Sequence, residues 1–144
     1  TINRSCRYLG TGKEIFDIMR LRLELEYILN CSAKVLFPRL STAEGLSEWF
    51  ADDVKVDRDV FTFFWNDWHA SARIMGIKEN KSVRFEWEDH TPEQPHCFEF
   101  YLDVMELTGD LALFITDCAE HENREDAIQL WDAHITDLRR LLGS

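Results

Sequence analysis

From Leu21 the chain alternates. Leu21, Leu23, Leu25, Tyr27 and Leu29 share one side of an extended segment, and Arg22, Glu24 and Glu26 share the other. A period of two marks a strand with one buried face. Asn30, Cys31 and Ser32 end it. Ser32 is placed to cap a short helix reaching Leu36 and Phe37, and Pro38, too late for a first-turn proline, is expected to kink or end that helix. Ser41 to Glu44, S-T-A-E, has the form of a capping box in which Ser41 accepts from a backbone N–H and Glu44 reaches back. The helix it opens carries Leu46, Trp49 and Phe50 on one face, and Asp52 with Asp53 breaks the pattern.

The middle of the chain reads as an antiparallel meander. Val54 and Val56 form a short strand, with a turn at Asp57, Arg58 and Asp59. Phe61, Phe63 and Trp65 alternate on the next, which turns at Asn66 and Asp67. Trp68 to Lys78 is longer and turns at Glu79, Asn80 and Lys81. Val83, Phe85 and Trp87 then alternate with Arg84, Glu86 and Glu88, a sheet face against water. After a polar loop from Asp89 to Pro95, Phe98, Phe100, Leu102 and Val104 alternate again. A hairpin turn at Thr108, Gly109 and Asp110 leads to Leu111, Leu113 and Ile115. From Arg124 to Leu142 the period becomes helical. Ile128, Trp131, Ile135, Leu138 and Leu142 form a stripe, widened by Leu130, His134 and Leu141. Such a helix is about 28 Å long, enough to cross a sheet. Asn123 is a candidate cap, and the charges at its two ends suit the helix dipole.

Strand, two short helices, six strands and one long helix predict an α+β, helix-grip architecture. A curved antiparallel sheet of six or seven strands wraps the C-terminal helix, since that helix is the one element long enough to cover its apolar face. Residues 19–144 form this domain. Residues 1–18 lack sustained periodicity and are read either as an extension outside the domain, non-native or disordered, or as an arm packed on the sheet through Ile15, Phe16 and Ile18. A gap left between bent sheet and helix is where an apolar pocket would form.

Composition changes the picture in a few places. Ten Phe and five Trp in 144 residues imply either a thick core or a walled cavity. A net charge of −11 argues against nucleic-acid binding and against attraction to an anionic membrane surface. No apolar run approaches the length of a membrane span, and no secretory signal pattern opens the chain, so membrane insertion is not expected and a cytoplasmic location is. Cys6, Cys31, Cys97 and Cys118 are scattered, as in reduced thiols. Cys118 and His121 make a C-x-x-H pair without a second pair at zinc spacing, so no metal or other cofactor is expected.

The segments LSTAEGLSEWFAD, FTFFW and ARIMGIKENKSVRFEWED resemble the START-like superfamily, also called Bet v 1-like or helix-grip. Within it they resemble the START-like proteins of Bacteroidetes, related to bacterial homologues of the C-terminal domain of the heat-shock-protein ATPase activator. Gly45, Leu46, Trp49 and Phe50 match a Gly-Leu-x-x-Trp-Phe signature, Phe61 to Trp65 the following strand, Val83 to Trp87 a Phe-x-Trp strand, and Leu130 with Trp131 the start of the closing helix. The resemblance covers about Arg20 to the C-terminus. It implies a hydrophobic cavity between sheet and last helix, and no particular reaction.

The residues placed to line such a cavity are Trp49, Phe63, Trp65, Phe85, Trp87, Phe100, Trp131, His134, Ile135 and Leu138; the competing reading is that they fill the core. The sequence therefore points to non-catalytic binding of a small hydrophobic molecule or lipid. Two alternatives stand beside it: a protein-interaction, chaperone-regulator-like module with a filled core, or a cyclase- or hydrolase-like enzyme in which His134 would be the ionisable group. A protein partner or a homodimer is compatible with all three. His69 and His90 are weaker candidates than His134, and Glu86 and Glu88 are expected on the wet face, where carboxylates make poor acids or bases.

Overall fold

The structure, a computed structural model, describes residues 2–8, 21–88, 96–118 and 124–143, with the backbone alone for 2–8 and Leu21. The elements are β1 (Ile2–Tyr8), β2 (Leu21–Leu29), α1 (Ala33–Ser41), α2 (Ala43–Leu46), β3 (Asp53–Asp57), β4 (Val60–Trp65), β5 (Trp68–Lys78), β6 (Ser82–Trp87), β7 (Cys97–Val104), β8 (Leu111–Asp117) and α3 (Arg124–Leu142). The strands form one antiparallel sheet in the order β1-β2-β8-β7-β6-β5-β4-β3. The seven strands anticipated from Leu21 onward are all present, and β1 adds an edge by pairing Ile2 to Tyr8 with Tyr27 to Leu21. Ile15, Phe16, Ile18, the 89–95 loop, His121 and Asn123 lie outside the described residues.

The alternation that predicted the strands is the alternation of burial. Leu23, Leu25, Tyr27 and Leu29 face inward on β2; Leu111, Leu113 and Ile115 on β8; Phe98, Phe100 and Leu102 on β7; Val83 and Phe85 on β6. Residues opposite one another across the ladders share a face, so register stacks these side chains into rows, such as Leu25–Ile115–Phe100–Val83. A bulge between Ile74 and Gly76 interrupts β5, and bulges locally bend a strand. The turns at Arg58 (φ 59°), Asn80 (φ 58°) and Gly109 (φ 76°) fall in the polar triplets read from the sequence.

Three local expectations are corrected. Pro38 does not end α1, which continues to Ser41. Ser41 is therefore helical, its hydroxyl donating to the Phe37 carbonyl at 2.9 Å, and it does not open α2. Thr42, in extended conformation, is the N-cap: its Oγ1 accepts from the Gly45 N–H at 3.0 Å and donates to the Pro38 carbonyl at 2.7 Å. Leu130 and Leu141, expected to widen the apolar stripe, face solvent beside a buried stripe of Ala127, Ile128, Trp131, Ile135 and Leu138.

Gly45 makes the α1–α2 corner possible. A Cβ there would lie 2.2 Å from the Pro38 carbonyl oxygen and 2.4 Å from the Arg39 Cα. These are backbone atoms that cannot swing aside, so only glycine admits this approach.

Candidate binding site

Helix α3 is tethered to the sheet at three levels. Near its first turns the Trp131 indole donates to Asp117 Oδ2 at 2.7 Å. One position on, Asp132 Oδ1 accepts from the Tyr27 hydroxyl at 2.7 Å. In its last turns Arg139 Nη2 donates to the Ile28 carbonyl at 2.7 Å. Between these bonds the buried stripe of the helix lies over the inner rows of the sheet.

The turn after α2 delivers Trp49 and Phe50 into the space between helix and sheet. The Phe50 and Ala51 N–H groups both donate to the Leu46 carbonyl, which curls the chain so that both rings point inward. Phe50 is the hub of the resulting cluster. Its centroid lies 5.1 Å from Phe63, 5.5 Å from Phe98, 5.8 Å from Trp65, 5.3 Å from His134 and 5.7 Å from Trp131, against which it stacks. Phe85 stacks on Phe98 at 4.8 Å, and Phe100 meets Trp49 at 5.8 Å and Trp131 at 6.0 Å. These spacings are ordinary contact distances for aromatic pairs. The indoles are satisfied by protein: Trp49 donates to the Arg39 carbonyl at 2.7 Å and Trp65 to the Phe50 carbonyl at 2.9 Å.

All ten sequence-derived residues border this region. Trp49, Phe63, Phe85, Phe100, Trp131, Ile135 and Leu138 are buried, and Trp65, Trp87 and His134 are half-buried at its margins. Phe50 and Phe98, outside that set, are more central than several of its members. Asp117 is the polar residue it missed. Only 4% exposed, it continues the inward parity of Leu111, Leu113 and Ile115, and that parity was a legible sign of a buried carboxylate.

Where the cluster meets solvent there is a depression of about 300 Å³ bordered by residues 47–52, Trp65, His134 and Asp137. That is the low end of small-molecule sites, and its walls include Glu48, Asp52 and Asp137. Burial lowers the His134 pKa from its ordinary value, opposed by a hydrogen bond to the Trp49 backbone and by the charge of Asp137. A larger groove of about 430 Å³ lies away from α3, at the tip of the β3–β4 hairpin between Lys55 and Arg73. Arg73 points outward and pairs with Asp59 at 3.2 Å, and His69 packs against Phe64 at the sheet's far corner. Among the described residues no group of three metal-ligating side chains occurs, and no helix is long and apolar enough to cross a membrane.

A bent antiparallel sheet gripping a C-terminal helix over an aromatic interior defines the helix-grip class of α+β proteins. The START-like superfamily domain matches residues 18–144, and the chain belongs to that superfamily. Among solved structures it is similar to BfR322 from Bacteroides fragilis, at 37% identity over 86% of this chain and 92% of that one, with a TM-score of 0.59. The Aha1 dimer from Colwellia psychrerythraea shares the fold at 18% identity, with 81% and 92% of the two chains covered and a TM-score of 0.67. CalU16 from Micromonospora echinospora does so at 14% identity, with 99% and 84% covered and a TM-score of 0.66. No curated protein matches the chain.

Proposed function

We propose that this domain is a non-catalytic binding module whose interior is occupied by its own side chains, and that it acts through its surface on a partner protein, in the manner of a chaperone regulator. The carrying observation is the ring-to-ring packing of Phe50, Phe98, Phe100 and Trp131 where helix-grip proteins could hold a guest. A drug-sized ligand needs a few hundred Å³ of largely apolar space; the rings that would line such a space touch one another. The fold shared with the Aha1 dimer supports a regulator reading, as does the resemblance of the Gly45–Phe50 segment to relatives of the heat-shock-protein ATPase activator.

The test has two arms. Thermal melting with a panel of fatty acids, sterols and polycyclic aromatics is expected to leave the midpoint unmoved, whereas a ligand at a hundredfold excess over its Kd would stabilise the fold by about 2.7 kcal/mol. The ATPase of the source cell's own heat-shock chaperone is expected to rise when the domain is added. A saturable lipid-induced shift, with no effect on the ATPase, overturns the proposal.

A second reading rests on the depression beside Trp65 and His134. A small molecule with a cationic group facing Glu48, Asp52 and Asp137 and an apolar end against Trp65 suits its walls. Catalysis has less support, because the one hydroxyl among the residues that border that depression, Ser47, donates to the Glu44 carbonyl at 2.7 Å and not to His134.

A further inference from the structure

The inner face of the sheet is taken up by α3 and the aromatic cluster, but its outer face carries a pair of thiols that the binding reading leaves unused. Phe98 on β7 is opposite Asp117 on β8. One residue further along each strand, Cys97 and Cys118 stand opposite each other, and the Cys118 N–H donates to the Cys97 carbonyl at 2.9 Å. Phe98 and Asp117 face the core, so alternation turns the two cysteines to the other side together. The strand register sets the two side chains next to each other, Cys97 buried and Cys118 half-buried, and both are free thiols. Hydrogen-bonded antiparallel partners have Cα atoms about 5.5 Å apart, inside the range of roughly 4.4–6.8 Å that a disulfide bridges. Cationic groups flank the pair in a chain that is otherwise strongly acidic. Arg84 Nη2 on β6 lies 3.9 Å from Cys97 Sγ, and the charge of Arg22 on β2 acts on Cys118.

We propose that Cys97 and Cys118 are a peroxide-reactive dithiol, with Cys97 the attacking sulfur and Cys118 the resolving one. The Cys97 thiolate attacks one oxygen of hydrogen peroxide; the O–O bond breaks, Cys97 becomes a sulfenic acid, and the departing hydroxide takes up a proton to leave as water. The Cys118 sulfur then displaces the sulfenic hydroxyl, and its own proton leaves with that hydroxyl as a second water. Two thiols are oxidised to one disulfide by two electrons, and one peroxide is reduced to two waters.

The division of roles has a physical basis. The Cys97 pKa is lowered by the neighbouring Cys118 thiol and, against burial and the charge of Asp117, by the Arg84 guanidinium 3.9 Å from its sulfur. The neighbouring Cys97, with burial, raises that of Cys118. Thiolates, not thiols, attack peroxide. Cys31, whose pKa burial raises, serves as an internal comparison.

The experiment is peroxide titration of the reduced full chain, followed by thiol counting and chymotryptic mapping, since aromatic residues from Phe98 to Phe114 separate the two cysteines. One equivalent of peroxide is expected to lower the titre from four thiols per chain to two and to yield a peptide pair joined through Cys97 and Cys118. Cys118→Ser should leave Cys97 as a sulfenic acid that dimedone traps, and Cys97→Ser should abolish the disulfide. Arg84→Gln should slow the reaction while leaving its product unchanged. Oxidation of Cys31 or Cys6 ahead of the pair, or disulfides formed only between chains, overturns the proposal. The mapping on the unmutated chain decides this even if a cysteine variant fails to fold.

Discussion

The bond between Trp131 and Asp117 ties α3 to the sheet through two side chains nearly excluded from solvent, and it makes a quantitative test of the grip. Trp131 is 5% exposed and Asp117 4%, with 2.7 Å between donor and acceptor. A hydrogen bond to a charged group contributes about 1.5–3 kcal/mol. Trp131→Phe removes the donor and also leaves a small void beside Phe50 and Phe100, which adds about 1 kcal/mol. The expected loss is therefore about 3 kcal/mol, or a fall in Tm of about 6–12 °C for a chain of this size. Asp117→Leu keeps a similar volume and removes the acceptor. Urea denaturation of the two single variants and the double variant gives the coupling between them, expected at about 1.5 kcal/mol or more. A coupling below about 0.5 kcal/mol, with both singles near wild type, would refute the claim that this bond fastens the helix.

Three further outcomes are expected. Gly45→Ala forces a Cβ against the Pro38 carbonyl and should cost at least about 2 kcal/mol in chemical denaturation; a neutral result would mean the α1–α2 corner is more open than described. Thr42→Ala should cost about 1–2 kcal/mol, and Ser41→Ala clearly less, because only Thr42 joins the two short helices; thermal melts of the pair check the order. Burial holds the His134 pKa below that of the unfolded chain, so the unfolded state binds the proton more readily. Stability is then at its full value above about pH 6.5 and falls as the pH drops from there toward the folded-state pKa. His134→Gln should flatten the urea midpoint between pH 7.5 and 5, and an unchanged slope would contradict the assignment.

The strands and α3 were legible because each has one wet face and one dry face, so the period of the apolar residues is the period of the element. Even the turns at Arg58, Asn80 and Gly109 announced themselves as polar triplets. The cap at Thr42 was not legible, because it depends on α1 running through Pro38 to Ser41, which tertiary packing decides against local preference. Leu130 and Leu141 misled for a related reason: an apolar stripe on a helix says which residues can be buried, and only the width of the sheet says which are. Asp117 was hidden as an apparent strand end, although its parity with Ile115 placed it inside. Whether the aromatics line a cavity or fill it is a matter of a few ångströms between Phe50, Phe100 and Trp131. Alternation along each strand carries no information about that gap. The Cys97–Cys118 pair needed the β7–β8 register, which follows from the Thr108–Asp110 hairpin but becomes chemistry only once Arg84 is seen beside it.

A full interior is what distinguishes a surface-acting module from a carrier. Xenon enters apolar cavities that side chains leave empty, so crystals of the purified domain pressurised with the gas give a direct measurement. No xenon is expected between the sheet and α3, with Phe50 still stacked on Trp131. A xenon atom or a co-purified apolar molecule bounded by Phe50, Phe100 and Trp131 would contradict it and make the domain a carrier.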